Sequence, residues 1–302
     1  MRKTKTQEIV FGAAMLSIYA LIMLLDRYSG GMLYMLFYYF LPLPFMMYGL
    51  KFGTGMYGVL MFGSVVLGFI FGLPETAFFG VTAILVSYLL VSSIQKQWTG
   101  TKTMVLVICA TVLSQIASIT IFSSLFGYNL AEEIEYIMTT IKDIANQFPN
   151  IALQIEESRV KVIFAFSTIL LGCIEAFVFM TFADLVLLRM KIARVPKFSI
   201  LQLKIPKIIG VLFIIVGYLQ TKSTNDLLLF IFLALWMMIL AQGLSYCFFV
   251  NGLLIRKPIL NSLAFLSCFL PIFNYFITGM GLIDIFSSNR KKIMYNINQR
   301  GE

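Results

Sequence analysis

Histidine is absent from the 302-residue chain. That removes the commonest metal ligand and the commonest general acid or base near neutral pH, so histidine-dependent catalysis is excluded. Charge is scarce: 12% of residues are charged, against roughly a quarter in an ordinary water-soluble domain. The four cysteines, Cys109, Cys173, Cys247 and Cys268, stand inside hydrophobic runs with no CxxC pair among them. They read as small packing residues rather than a disulfide or zinc framework. No GxxxxGK[ST] loop occurs, so the chain does not itself use ATP through a P-loop. Metallo- and rhomboid-type intramembrane proteases need histidine, and Gly279-Met280-Gly281-Leu282-Ile283-Asp284 lacks the spacing of the aspartyl GxGD motif. These residues point to no enzyme, no cofactor and no metal site.

What the chain holds instead is apolar surface. Sixty per cent of residues are hydrophobic and the mean hydropathy is +0.90, a composition that water cannot solvate as a globular exterior. The expected fold class is all-α, a polytopic integral membrane helical bundle of eight or nine hydrophobic segments. The net charge of +9 is read as cytoplasmic loops meeting an anionic lipid leaflet, not as a nucleic-acid surface.

The chain is organised around residues 40–73. Leu41-Pro42-Leu43-Pro44 must interrupt a helix, because each proline lacks an N–H and its ring clashes with the preceding turn. Glycines follow at helical spacing, Gly49 with Gly53 and Gly68 with Gly72, with Gly58 and Gly63 between. Faces without side-chain bulk let backbones approach closely in lipid.

Arg2, Lys3 and Lys5 precede a first span over 9–25 with no A-x-A-like cleavage site, so it is expected to be retained. Its Ala13, Ser17 and Ala20 form a small-residue stripe, suited to docking a partner helix or simply facing lipid. Further segments are expected over 32–50, 55–73, 76–93 and 103–126, with a turn at Pro74-Glu75. The aromatic run Tyr34, Phe37, Tyr38, Tyr39, Phe40 reads first as an interfacial belt and second as a ligand lining.

Between Gly127 and Arg159, six acids oppose Lys142 and Arg159, a local net of −4. Leu130, Ile134, Ile137, Ile141, Ala145 and Phe148 recur at helical spacing until Pro149-Asn150. This segment reads as an acidic extracytoplasmic cap over 128–159 or a solvated mobile helix. A sixth span, 162–188, leads into Arg189, Lys191, Arg194, Lys197, Lys204 and Lys207, a cytoplasmic loop by its charge. Spans over 208–219 and 227–250 follow, then Arg256-Lys257 and a run over 259–285 divided by Pro271. Alternation from a cytoplasmic N-terminus makes the basic loops inner and the acidic segment outer. The tail with Arg290, Lys291, Lys292 and Arg300 obeys that rule only if the last run turns back at Pro271. Eight full spans and an inner tail are therefore expected.

Polar residues inside spans are the default pointers to function. With each span centred on its apolar run, Gln115, Glu175, Gln242 and Asn274 fall at similar depth and form the candidate substrate-binding layer. No Lys or Arg stands in a span interior beside Glu175. An unneutralised carboxyl there is expected to keep its proton and hydrogen-bond, or to meet a cationic ligand or a transported proton. The same residues also serve as interhelical glue in the plainer reading. Asp184 and Asp284 stand at span ends and are expected at the interface, where Asp284 can pair with Arg290.

Two resemblances arise from these motifs. The double-proline segment before a glycine-rich one, Gln242-Gly243 in a late span, and Gly281-Leu282-Ile283-Asp284 followed by Arg290-Lys291 resemble the YybS family of uncharacterised Gram-positive multi-pass proteins. The first six segments, residues 1–190, resemble the six-helix S components of energy-coupling-factor (ECF) vitamin transporters. Those dock a transmembrane coupling subunit, joined to two ATPases, through an Ala-x-x-x-Ala face on the first helix; Ala13-x-x-x-Ser17 matches it conservatively. The resemblance implies a small-solute binding or uptake component over 1–190, with an appended helical membrane region over 191–302. A non-transporting scaffold or regulator is the alternative.

Overall fold

The computed structural model describes residues 5–32, 37–72, 79–126, 129–147, 156–198, 200–223, 225–255, 258–268, 270–287, 290 and 293. The turn at Pro74-Glu75, the stop at Pro149-Asn150, Arg2, Lys3, Tyr34, Phe148, Arg256-Lys257, Lys291, Lys292 and Arg300 lie outside the described residues. Among the described residues the regular structure is entirely helical. The helices are α1 (Lys5–Tyr28), α2 (Pro42–Phe52), α3 (Tyr57–Phe71), α4 (Phe79–Gln95), α5 (Gly100–Phe126) and α6 (Leu130–Gln147). The remainder are α7 (Glu157–Arg189), α8 (Lys207–Gln220), α9 (Asp226–Val250), α10 (Pro258–Ser267) and α11 (Pro271–Phe286). Four of them, α1, α5, α7 and α9, are long and apolar enough to cross a membrane, and α3, α4, α8 and α11 are shorter apolar helices.

Local chemistry explains the boundaries. At the double proline the chain makes a 3-10 turn, Tyr38–Phe40, and α2 begins at Pro42, where the missing N–H costs no helical bond. Among the described residues Phe37 is helical, the 3-10 turn follows and a new helix starts at Pro42, so the double proline interrupts the expected 32–50 segment. Gly53 ends α2 at φ +91°, a conformation that side chains strain to adopt. Asn129 accepts from the Ala131 N–H and donates to Glu132, closing the first turn of α6. Asn225 accepts from Leu227 and Leu228 and opens α9.

Contacts divide the chain into two compact units, one of residues 1–133 and 167–198, the other of 134–166 and 199–302. In the first unit, α2 packs on α4, α1 on α3, and α4 on α3 and α5. Its core includes Tyr19, Phe45, Met46, Tyr48, Leu90, Phe179 and Leu187. Close approach is built from glycine: a Cβ on Gly49 would collide with the Tyr57 hydroxyl, and one on Gly80 would stand 2.7 Å from Ser64. The N-terminal end of α1 meets the C-terminal end of α2, where the Tyr48 hydroxyl donates to Glu8. Gln95 at the end of α4 donates to the Gly49 carbonyl, and a Cβ on Gly100 would strike the Lys197 carbonyl. One end of this unit therefore gathers Lys5, Lys51, Lys96, Lys102 and Lys197. Lys51 lies 4.5 Å from the centre of the Phe11 ring and Lys102 4.6 Å from that of Trp98.

In the second unit α9 packs against α8 and α11, which also touch each other. The contact with α11 rests on two glycines. A Cβ on Gly243 would strike the Ile277 carbonyl, and one on Gly281 would strike that of Ile239. On α6 the half-buried Ile137 and Ile141 lie with buried Ile134 on one face, while Glu132, Glu133, Glu135 and Asp143 are exposed. The exposed face of α8 is apolar, with Ile208, Val211, Leu212, Ile215 and Leu219. Water would penalise such a face and lipid does not.

Candidate functional site

Polar side chains gather in two places, one in each unit. In the first, α7 carries Glu175 on the face that also buries Ala176, Phe179 and Ala183. Glu175 is 3% exposed. Gln115 Nε2, from α5, donates to its Oε1 at 2.7 Å, and the Tyr38 hydroxyl donates to Oε2 at 3.3 Å. Among the described residues no ion pair involves this carboxyl. Tyr38 reaches it because the 3-10 turn before Pro42 aims the ring inward. Its centroid lies 5.1 Å from that of Phe179 and 5.2 Å from that of Phe79. Tyr39 stacks near Phe179 at 5.3 Å. One turn of α7 earlier, the Gly172 carbonyl accepts from Thr111 at 2.7 Å. This bond and Val112, 2.7 Å from where a Gly172 Cβ would stand, hold α5 and α7 in the register that Gln115 needs.

In the second unit Gln242 joins a charged cluster. Its Nε2 donates to Asp284 Oδ2, and its Oε1 accepts from the Ile205 N–H at 3.1 Å. Arg290 Nε donates to both Asp284 oxygens at 3.0 and 2.9 Å, and Nη2 meets Oδ2 at 2.6 Å. The guanidinium also donates to Ser245 Oγ at 3.0 Å and to the Leu201 carbonyl at 2.7 Å. The close α9–α11 contact at Gly243 and Gly281 lets these groups meet. Beside the cluster is a cavity of about 270 Å³ lined by Lys204, Ile205, Pro206, Lys207, Gln242, Asp284, Ile285, Ser287 and Arg290.

The candidate residues therefore fall into separate settings. Gln115 and Glu175 are bonded to each other, whereas Gln242 is bonded to Asp284 within the other unit. Asn274 donates to the Cys268 carbonyl at 2.7 Å and its carbonyl accepts from Thr278, so it closes the break between α10 and α11. Asp284 pairs with Arg290 as expected, but in the interior of its unit: the two side chains are 3% and 7% exposed. Asp184 accepts from the Val195 N–H and meets exposed Lys197, tying down the loop after α7. On α1, Ala13 and Ser17 are exposed and Ala20 is half-buried. Ser17 Oγ donates to the Ala13 carbonyl. Tyr38, Ser245 and the cavity lysines Lys204 and Lys207 were not among the expected site residues. The inward role of Tyr38 had one signal, its place just before a helix-starting proline. Among the described residues no three metal-ligating side chains converge.

Apolar outward faces around interior polar clusters define an integral membrane helical protein. The family model described as predicted membrane protein (DUF2232) matches residues 17–285, and the chain belongs to that family. Comparisons with curated proteins and with solved structures returned no match.

Proposed function

We propose that this protein is a small-solute binding or uptake component that works in the membrane with partner ATPases. In this reading its eight or nine hydrophobic segments run from a cytoplasmic N-terminus. Residues 1–190 form an S-component-like part, and 191–302 an appended helical membrane part. The observation that carries the reading is that small residues of α1 are uncovered. Gly12, Met15, Tyr19 and Met23 are buried, whereas Ala13 and Ser17 are exposed, beside the larger exposed Val10, Ile18 and Leu21. A coupling subunit of the ECF type would dock there through close backbone packing. Five lysines gather at one end of the first unit, which the positive-inside rule assigns to the cytoplasm, where ATPases are reached. Glu175, bonded to Tyr38, whose ring packs on Phe179 as does that of Tyr39, suits a solute carrying an amine, because aromatic faces and a carboxyl both attract cations.

A second reading, a non-transporting scaffold or regulator, is favoured by one fact. Both Glu175 oxygens already accept bonds from within the protein. The two readings separate on purification of the full chain from its own membranes in mild detergent, as wild type and as Ala13→Phe/Ser17→Phe. The uptake reading expects a coupling subunit and ATPases to accompany the wild type and to be lost from the variant. Absence of ATPases from the wild type, or their retention by the variant, contradicts it and leaves the scaffold.

A further inference from the structure

The second unit contains a cavity that the reading above does not use. Its polar walls are largely self-satisfied: Arg290 is committed to Asp284, Ser245 and the Leu201 carbonyl, and Gln242 to Asp284 and the Ile205 N–H. Lys204 and Lys207 are different. Both are exposed, and among the described residues neither pairs with a carboxylate. Lys204, Lys207 and Arg290 against Asp284 give the lining a net charge of +2. At about 270 Å³ it is far larger than the space one water or a bare ion needs.

The surroundings narrow the occupant. From Lys207, α8 continues outward with Ile208, Val211, Leu212 and Ile215 exposed along one side, Ile208 by 66%. A cationic recess lined by the first residue of α8, on a helix whose next exposed residues are apolar, matches a molecule with an anionic head and a hydrocarbon tail. Basic recesses of this kind between membrane helices recognise lipid phosphates. We infer that the cavity beside the Asp284–Arg290 pair is a binding site for an anionic phospholipid, whose phosphate lies between Lys204 and Lys207 and whose acyl chain runs along α8. The ion pair then has a defined part: it neutralises Asp284, which would otherwise repel the phosphate, and holds α11 against α9 to form the inner wall.

The test uses the full chain in nanodiscs of phosphatidylcholine alone, or of phosphatidylcholine mixed with phosphatidylglycerol. In a third arm, phosphatidylcholine nanodiscs are titrated with inorganic phosphate. Thermal unfolding and the lipids retained after detergent extraction are measured. Phosphatidylglycerol is expected to raise the melting temperature and to be retained. Lys204→Gln/Lys207→Gln is expected to bind it about 30-fold more weakly and to melt like wild type in phosphatidylcholine. Lys191→Gln/Arg194→Gln, which removes the same charge outside the cavity, should keep the wild-type response. Lys204→Arg/Lys207→Arg should keep it too. No stabilisation by phosphatidylglycerol, or equal loss in both glutamine variants, overturns the site. An equal rise from inorganic phosphate overturns the lipid as its occupant.

Discussion

Replacing Arg290 by methionine should strongly destabilise the second unit. The side chain is 7% exposed and Asp284 is 3% exposed, so bulk water does not replace the lost guanidinium and only water in the adjoining cavity reaches the carboxylate. What would remain around Asp284 is one neutral donor, Gln242, with Ser245 and the Leu201 carbonyl also losing a donor. Removing one partner of a buried pair costs about 3–5 kcal/mol, because the other charge stays desolvated. Contact of the guanidinium with the Phe249 ring at 5.2 Å adds a smaller loss. Asp284→Leu strands the cation instead and should cost a similar amount. The double variant Asp284→Leu/Arg290→Met leaves no buried charge and only the hydroxyl, amide and carbonyl to resatisfy, at about 1 kcal/mol each. Its loss should therefore fall well below the sum of the singles, with a coupling of at least about 3 kcal/mol. Equilibrium unfolding of the full chain in mixed micelles reads all four corners of the cycle. Arg290→Met within about 1 kcal/mol of wild type, or singles that simply add, would refute the interior placement of the pair.

Other substitutions probe the remaining contacts. Gly243→Ala puts a methyl into the Ile277 carbonyl and should cost about 1–3 kcal/mol in the same assay, whereas alanine at open Gly58 should not. Glu175→Leu leaves the Gln115 amide and Tyr38 hydroxyl without their acceptor and should cost about 1–3 kcal/mol; Glu175→Gln, which keeps an oxygen acceptor, should cost less. Asp184→Ala frees the Val195 N–H and should hasten tryptic cleavage after Lys191 and Arg194, while Asp184→Asn retains an acceptor and should not. The salt bridge to Lys197 contributes little to that difference, since Lys197 is 71% exposed.

The helices were legible because apolar run length and proline position are one-dimensional signals. The expected segments over 208–219 and 227–250 coincide with α8 and α9, and Pro271 opens α11 after the break it marked. The double proline was legible as an interruption, but the inward 3-10 turn that precedes α2 was not. The aromatic run around Tyr38 reads from sequence as interfacial, yet Tyr38 is only 4% exposed. Partnership between side chains was less legible than position. Depth along a span places Gln115 with Glu175, but it places Gln242 beside them equally well. What directs Gln242 toward Asp284 is the approach of α9 and α11 at Gly243 and Gly281, and that depends on which helices pair. The depth of Asn274 likewise says nothing of its side-chain partner, the Cys268 carbonyl at the break before α11.

The central claim is that Glu175 belongs to a solute site rather than to helix packing alone. The most direct test is thermal unfolding of the purified protein against a panel of vitamins, amines and metal ions, for wild type and Glu175→Gln. A ligand that binds only the folded state raises the melting temperature by mass action, by an amount that grows with its concentration. The account predicts a solute that stabilises the wild type and loses that effect in the variant. No stabilising solute, with the variant as stable as wild type or more so, would contradict it and make the Glu175, Gln115 and Tyr38 contacts structural.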